Sequence, residues 1–164
     1  MKDAYKPEKY IWSEKDFESM CWHDCYILAL GLEKHNLLLD IDYILKWVHP
    51  EGKGGPFRFW ISPATLIFRD VRNFSIDISI DSWCFDGHEI EIDEVVRDDP
   101  QEFSISASAK KTDWKWTIYT NQGGIVFRSV SYRQYLRREP ILSKRQRLGL
   151  EARGGISLST DTGR

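Results

Sequence analysis

The sequence lacks most of the features that identify a secreted protein, a membrane protein or a known kind of enzyme. Its 164 residues include only three cysteines, an odd number without the spacing of a disulfide framework, which predicts a reducing, cytoplasmic location. No basic segment followed by an apolar one opens the chain, and no apolar run approaches the roughly 20 residues of a membrane span, so no membrane partner is predicted. The phosphate loop, nucleophile elbow, paired zinc motif and dinucleotide fingerprint are all absent, so the sequence predicts no catalytic residue, metal or cofactor.

Alternation of apolar and polar residues is the strongest pattern that the sequence contains. From Phe74 to Ile80 the apolar residues fall on one side of an extended chain and the polar residues on the other, as in a strand with one dry and one wet face. The same period runs through Tyr26–Leu32 and Leu37–Trp47, which the polar residues Glu33–Asn36 separate. These two segments predict a hairpin.

About eight alternating segments, joined by short polar turns, leave no room for crossover helices. They predict a mainly β fold, an antiparallel meander of about eight strands that forms a two-layer sandwich or an open barrel. A short N-terminal helix is predicted after Ser13, with Asp16 completing an acidic capping box, and a second short helix near residues 132–138. A slip in the alternation at Ser62–Pro63 predicts a β-bulge, and Asp98–Pro100 predicts a turn.

Charge divides the chain into two parts. Residues 133–164 contain eight Lys or Arg and three acidic residues, a net charge of +5, so residues 1–132 carry −7 of the total of −2. We therefore predict a single β-rich domain over residues 1–138 and a basic, partly disordered extension over residues 139–164, where glycine and hydroxyl residues are common. The acidic body disfavours nucleic acid as a partner.

Trp22, His23 and Asp24 lie between two cysteines and form the first candidate site. The spacing is poor for zinc, and neighbours along a strand point to opposite faces, which disfavours a Cys–His nucleophile pair. The favoured interpretation is structural: Asp24 accepts hydrogen bonds from backbone N–H groups before the first long strand, and Trp22 closes the edge of the core.

The segment around these residues also resembles part of a known protein family. The segment C-W-H-D-C-Y-I at Cys21–Ile27 is followed by a turn, a second long strand and A-T-L-I-F-R-D-V at Ala64–Val71. Over roughly Ser13 to Asp81 this pattern resembles a family of small uncharacterised bacterial proteins, and some relatives with the same His-Asp pair are labelled immunity proteins of polymorphic toxin systems. The resemblance implies a protein toxin as partner, and it implies no catalytic residues because none are established for the family.

Carboxylates at the outward positions of several strands form the second candidate site, with Asp40, Asp42 and Asp77 as its main members. If the strands are neighbours, these side chains make one anionic face. Such a face could bind a divalent cation, supply a glycosidase pair, remain solvated, or complement a basic toxin.

Trp47 and Trp60 flank the glycine-rich loop at His49–Pro56 and form the third candidate site. Exposed tryptophans beside a loop suit a ligand cleft or an interface anchor, whereas core packing is the alternative.

Together these patterns favour a non-enzymatic protein-binding module, with an immunity-type toxin inhibitor as its specific form and a protein partner or self-association as its mode of action. The alternative is an enzyme, or a metal- or ligand-binding β protein, that uses His23, Asp24 and the strand carboxylates.

Overall fold

The computed structural model describes residues 5–80 and 89–164, so Asp81, the last residue of the resemblance, lies outside the described ranges. Within them the chain forms ten strands, one 3₁₀ helix at Glu14–Ser19 and one α-helix, α1, at Leu150–Arg153. The strands are β1 (Ile11–Ser13), β2 (Tyr26–Glu33), β3 (Asn36–Val48), β4 (Arg58–Arg69), β5 (Arg72–Ile78), β6 (Ile90–Ser106), β7 (Ala109–Thr120), β8 (Gly123–Ser129), β9 (Ser131–Leu136) and β10 (Ile141–Ser143). None of the described helices is long and apolar enough to cross a membrane.

All ten strands belong to one antiparallel sheet, which confirms the predicted fold class. The order is β1-β9-β4-β3-β2-β6-β7-β8-β5, and β10 also pairs with β4. Over the described residues the sheet does not close into a barrel. Two runs of the predicted meander, β2-β3-β4 and β6-β7-β8, are connected by hairpins, and β9 returns to pair with β4.

The sheet folds over on itself at a narrow junction, so that it forms two facing layers. Strands β2 and β6 pair only through Tyr26 with Glu91 and Ile27 with Ile90. Phe68 of β4 nevertheless packs against Trp116 of β7 and Phe127 of β8, with ring centroids 5.0 and 4.7 Å apart. Since these strands are not neighbours in the sheet, the core lies between its two halves.

The predicted N-terminal helix is present in 3₁₀ form. The backbone N–H of Ser13 donates to the Asp16 carboxylate over 2.8 Å, which is the reciprocal bond expected of an acidic capping box.

The helix predicted near residues 132–138 is wrong, because that segment forms β9. Tyr132, Gln134 and Leu136 are buried and alternate with the less buried Arg133 and Tyr135, so the segment has the period of a strand. The segment is too short for its period of two to stand out from a helical turn in the sequence alone.

The structure also differs from the sequence prediction at one bulge and one turn. The bulge expected at Ser62–Pro63 occurs on the partner strand, where Leu45 is the extra residue between two pairs of β3 and β4. The turn expected at Asp98–Pro100 is a bulge inside the long strand β6, with Asp99 in the left-handed region at φ 46°.

The extension predicted to be partly disordered packs on the sheet instead. Ile141 of β10 pairs with Ile61, and both Leu148 and Arg153 are buried. A Cβ atom at Gly31 would come within 2.7 Å of the end of the Leu158 side chain, so a larger residue there would displace Leu158. Backbone N–H groups of the segment bond to the buried carboxylates of Asp40 and Asp42, and the composition of the segment cannot reveal partners so distant in the chain.

Candidate functional site

The eight predicted site residues lie in four separate places rather than in one site. Trp22, His23 and Asp24 precede β2, Asp40 and Asp42 lie in β3 under the C-terminal segment, Trp47 and Trp60 lie near the end of the β3–β4 hairpin, and Asp77 lies in β5.

Asp40 and Asp42 do not form an outward anionic face, because both are fully buried. The guanidinium of Arg153 lies between them: its Nε donates to Asp42 Oδ1 over 3.0 Å, and its Nη1 and Nη2 donate to the two oxygens of Asp40 over 2.9 and 2.6 Å. Arg137 adds a bond of 2.7 Å from its Nη2 to Asp40 Oδ1. We call Asp40, Asp42, Arg137 and Arg153 the carboxylate clamp.

Two backbone N–H groups of the C-terminal segment complete the clamp. Ser157 donates to Asp40 Oδ2 over 2.9 Å and Leu148 donates to Asp42 Oδ2 over 2.8 Å. Every carboxylate oxygen therefore accepts at least one bond, as buried charges require. The clamp fixes the C-terminal segment across β3, and its carboxylates are already occupied.

The clamp makes folding sensitive to acid. Burial alone would raise the pKa of Asp40, but hydrogen bonds from Arg153 and Arg137 outweigh burial and hold that pKa below its usual value. A depressed folded-state pKa contributes stability that is present above the unfolded-state pKa of about 3.9 and is lost as pH falls through the lower, folded-state value.

Among the described residues, no backbone N–H donates to the Asp24 carboxylate, which corrects the structural interpretation of this residue. Its carboxylate contacts side chains instead: Gln146 Nε2 donates to Oδ2 over 2.7 Å, and His23 Nε2 lies 3.3 Å from Oδ1. The residue itself is in the left-handed region, with φ of 62°. Asp24 thus connects the segment before β2 to the C-terminal segment, which local sequence could not indicate.

Two further titratable side chains, Tyr26 and Glu91, lie close to Asp24. The sequence did not predict that these residues come together with Asp24. Burial and a hydrogen bond to Glu91 raise the pKa of Tyr26 to about 12. Burial, and after it the nearby Asp24 carboxylate, raise the pKa of Glu91, although the Tyr26 hydroxyl opposes the change. We call His23, Asp24, Tyr26 and Glu91 the acid cluster.

His23 is exposed at the end of the acid cluster. Its Nδ1 donates to the carbonyl oxygen of Asp93 over 2.9 Å, and this bond, together with the Asp24 carboxylate, raises the pKa of His23. Trp22 points the other way, into the core, where its Nε1 donates to Gln134 Oε1 over 2.8 Å. The neighbouring residues Trp22 and His23 therefore lie in different environments, the first in the core and the second at the surface.

A cleft opens beside the acid cluster, between β2 and residues 144–150, and we call it the C-terminal cleft. It consists of a cavity of about 370 Å³ and an adjoining one of about 420 Å³, which share Tyr26, Glu89, Arg145 and Arg147. Asp42, Leu148 and Leu150 line the first cavity, and Phe59 lines the second. The clamp forms this cleft because it places residues 148–153 over β3.

The tryptophans near the hairpin end differ in exposure. Trp47 is exposed and packs edge-on against Phe57 and Phe59, with ring centroids 6.0 and 5.0 Å apart. Trp60 is half-buried and stacks on Tyr5 at 5.9 Å. The two rings therefore belong to separate aromatic groups.

A second opening, which we call the edge groove, lies between β2 and β5. It has a volume of about 200 Å³ and is lined by residues with apolar side chains, namely Ile27, Leu28, Ala29, Leu30, Ile76, Ile78, Ile90 and Ile125. Asp77 is exposed between two of the lining residues of β5. The lining side chains alternate with polar ones in the sequence, but the sequence could not indicate that two strands leave a gap between them.

Neither a metal centre nor a similar known protein indicates the function of these places. Among the described residues, no group of three or more His, Cys, Asp or Glu side chains is placed to hold a metal ion. Comparisons with protein-family models, curated proteins and solved structures find no match for this chain.

Replacing Arg153 tests the carboxylate clamp. Arg153→Met keeps the buried stem but leaves Asp42 with one backbone donor, so we expect a loss of about 3–5 kcal/mol in the free energy of unfolding. Urea unfolding measures it. Arg133→Met, at an exposed arginine of β9, is the control and should cost less than about 0.5 kcal/mol. Equal losses in the two variants would contradict the clamp.

Replacing Glu91 tests the acid cluster. A carboxyl group with a raised folded-state pKa contributes stability that is present below its unfolded-state pKa of about 4.3 and is lost as pH rises through the folded-state value. Glu91→Gln cannot ionise, so its melting temperature should gain on that of the parent chain between about pH 4 and pH 7. Thermal melts across this range measure the difference. The exposed Glu94→Gln should show no such gain, and parallel curves for Glu91→Gln would refute the coupling.

Proposed function

We propose that this chain is a non-enzymatic protein-binding module that binds an extended strand of a partner protein in the edge groove. The observation that carries the proposal is the pair of open strand edges beside an apolar groove. Strand addition needs both features, because backbone hydrogen bonds supply affinity and pockets for alternate side chains supply specificity.

Both strands beside the groove have an edge without a partner among the described residues. Strand β2 pairs with β6 only at Tyr26 and Ile27, so Leu28–Glu33 has no ladder on that side. Strand β5 is the last in the sheet order and pairs with β8 alone. Four consecutive residues of β2 line the groove, so it lies along the edge of this strand rather than over one face.

A bulge in β2 supports the same function. Leu28 is the extra residue between the pairs Ile27–Ile41 and Ala29–Asp40. It comes directly after the last pair with β6, and bulges commonly end pairing and redirect a strand. The open edge therefore begins at a defined structural feature.

Exposed apolar side chains lie in the groove and farther along the same two segments. Leu30 and Ile76 line the groove with exposed fractions of 37% and 49%, and Leu32 and Ile80, two and four residues beyond them in the chain, are 60% and 44% exposed. Single exposed apolar residues are normal on a protein surface, whereas a group around one groove is typical of an interaction site. The matching occupant is a strand with apolar residues at every second position.

The other predicted sites favour this function less. Asp40 and Asp42 are fully bonded within the clamp. The exposed ring of Trp47 lies in the β3–β4 hairpin, where it packs against Phe57 and Phe59, and is available as an additional contact.

An immunity-type inhibitor of a bacterial toxin is the specific form of this proposal. The resemblance that implies it runs from about Ser13 to Asp81, a range that contains both strands beside the groove. Such an inhibitor acts in the cytoplasm, where the two described cysteines, Cys21 and Cys25, would stay as free thiols.

Strand addition can be tested with short random peptides displayed on phage and selected on the purified chain. We expect selected peptides to carry apolar residues at alternate positions and to protect the backbone amides of β2 and β5 from hydrogen exchange. Ile76→Lys should weaken these peptides at least about tenfold, since it places a charge against an apolar surface. The matched control is Ile105→Lys, an exposed apolar position on β6 away from the groove.

Three results would refute strand addition. One is open-edge amides of β5 that are already protected in the free chain, because the groove would then be covered within the molecule. Another is a dimer in sedimentation that Ile76→Lys dissociates, which would assign the groove to a second copy. The third is equal peptide binding by the Ile76→Lys and Ile105→Lys variants.

The inhibitor form can be tested by expressing the gene adjacent to that of this chain. We expect this gene to arrest bacterial growth alone and to permit growth when the chain is co-expressed. The Ile76→Lys variant should fail to restore growth, and the Ile105→Lys variant should restore it. An adjacent gene without toxicity, or equal rescue by both variants, would rule out this form of the proposal.

A further inference from the structure

We propose that the C-terminal cleft binds a small molecule that joins one anionic group to an apolar body. This site is separate from the proposed protein-binding function, although Ile27 and Leu28 lie between the cleft and the edge groove and line both. Each of the two cavities of the cleft falls within the roughly 300–1,000 Å³ typical of sites for small ligands.

The unpaired charge on the cleft wall is positive. Asp42 is satisfied by Arg153 Nε at 3.0 Å and by the Leu148 N–H at 2.8 Å, and Glu89 forms an ion pair with Arg147. The Gln146 side chain is engaged by Asp24. Among the described residues, the side chain of Arg145 has no hydrogen bond or ion pair, and this arginine lines both cavities.

An uncompensated guanidinium beside closed ion pairs selects an anion. Arginine presents a planar set of donors that matches a carboxylate, sulfonate or phosphate group. Lys144, which lines only the second cavity, adds a second positive charge at its rim.

The remaining wall is suited to an apolar body. Ile27, Leu28 and Leu148 line the first cavity, Phe59 lines the second, and Tyr26 lines both. Leu150 lines the cleft and is 58% exposed at the start of α1, so a ligand would remove this side chain from water. The geometry therefore favours an amphiphilic anion over a bare inorganic one.

Anilinonaphthalene sulfonate, an aromatic sulfonate whose fluorescence rises in apolar surroundings, is a direct probe for this site. We expect saturable binding to the folded chain. Octanoate should displace the dye, whereas octanol, which has the same apolar body without the charge, should not. Arg145→Gln should raise the dissociation constant about tenfold, as expected for the loss of one charge-assisted hydrogen bond, and Arg145→Lys should raise it less.

The controls separate this cleft from other dye sites. Arg133→Gln, at an exposed arginine elsewhere, and Ile76→Lys, in the edge groove, should leave the dissociation constant unchanged. Leu150→Asp should abolish binding, with thermal melts confirming that each variant is folded. The proposal is wrong if Arg145→Gln binds the dye like the parent chain, if octanol competes as well as octanoate, or if Ile76→Lys removes the dye. The last result would place the dye in the edge groove.

Discussion

The contact of Arg153 with Asp40 and Asp42 is the interaction on which the rest of the architecture depends. Two carboxylates in a buried strand cost several kcal/mol each unless a cation and further donors meet them. Arg153 supplies that cation, and the N–H groups of Leu148 and Ser157 supply the donors. The cost of burying the charges is offset only when the C-terminal segment lies across β3.

The consequences of this clamp extend beyond the two carboxylates. It places Leu148 and Leu150 over the sheet and so creates the wall of the C-terminal cleft. It also brings Gln146 to Asp24, which connects the acid cluster to the same segment. A chain that loses the clamp would lose the bonds that hold Leu148 and Arg153 at this wall of the cleft.

Strand β2 is the second constraint, since it joins the two layers and borders both openings. Its pairing with β6 ends after Ile27, and the bulge at Leu28 follows at once. The start of the strand therefore joins the two layers through its pairing with β6, and the same edge is left open from Leu28 onward. The protein-binding groove and the ligand cleft are proposed on either side of this short stretch.

Much of the fold could be predicted from local patterns, because a strand with one covered face imposes a period of two on its residues. The β2–β3 hairpin and the capping of the 3₁₀ helix by Asp16 were predicted and are confirmed. Strand β9 was predicted as a helix, although Tyr132, Gln134 and Leu136 are buried in alternation with the less buried Arg133 and Tyr135. The bulges were misplaced because a register shift depends on the partner strand, which the local pattern does not contain.

The sequence by itself determined which segments are extended and which side chains share a side of each strand. It could not determine which sides are covered. Asp40, Asp42 and Asp77 occupy the same kind of position in alternating segments, yet the first two are buried and the third is exposed. The difference is Arg153, which lies 113 residues beyond Asp40 in the chain. Only the tertiary structure brings that charge to its partners, because an ion pair between distant residues leaves no trace in the local period of either.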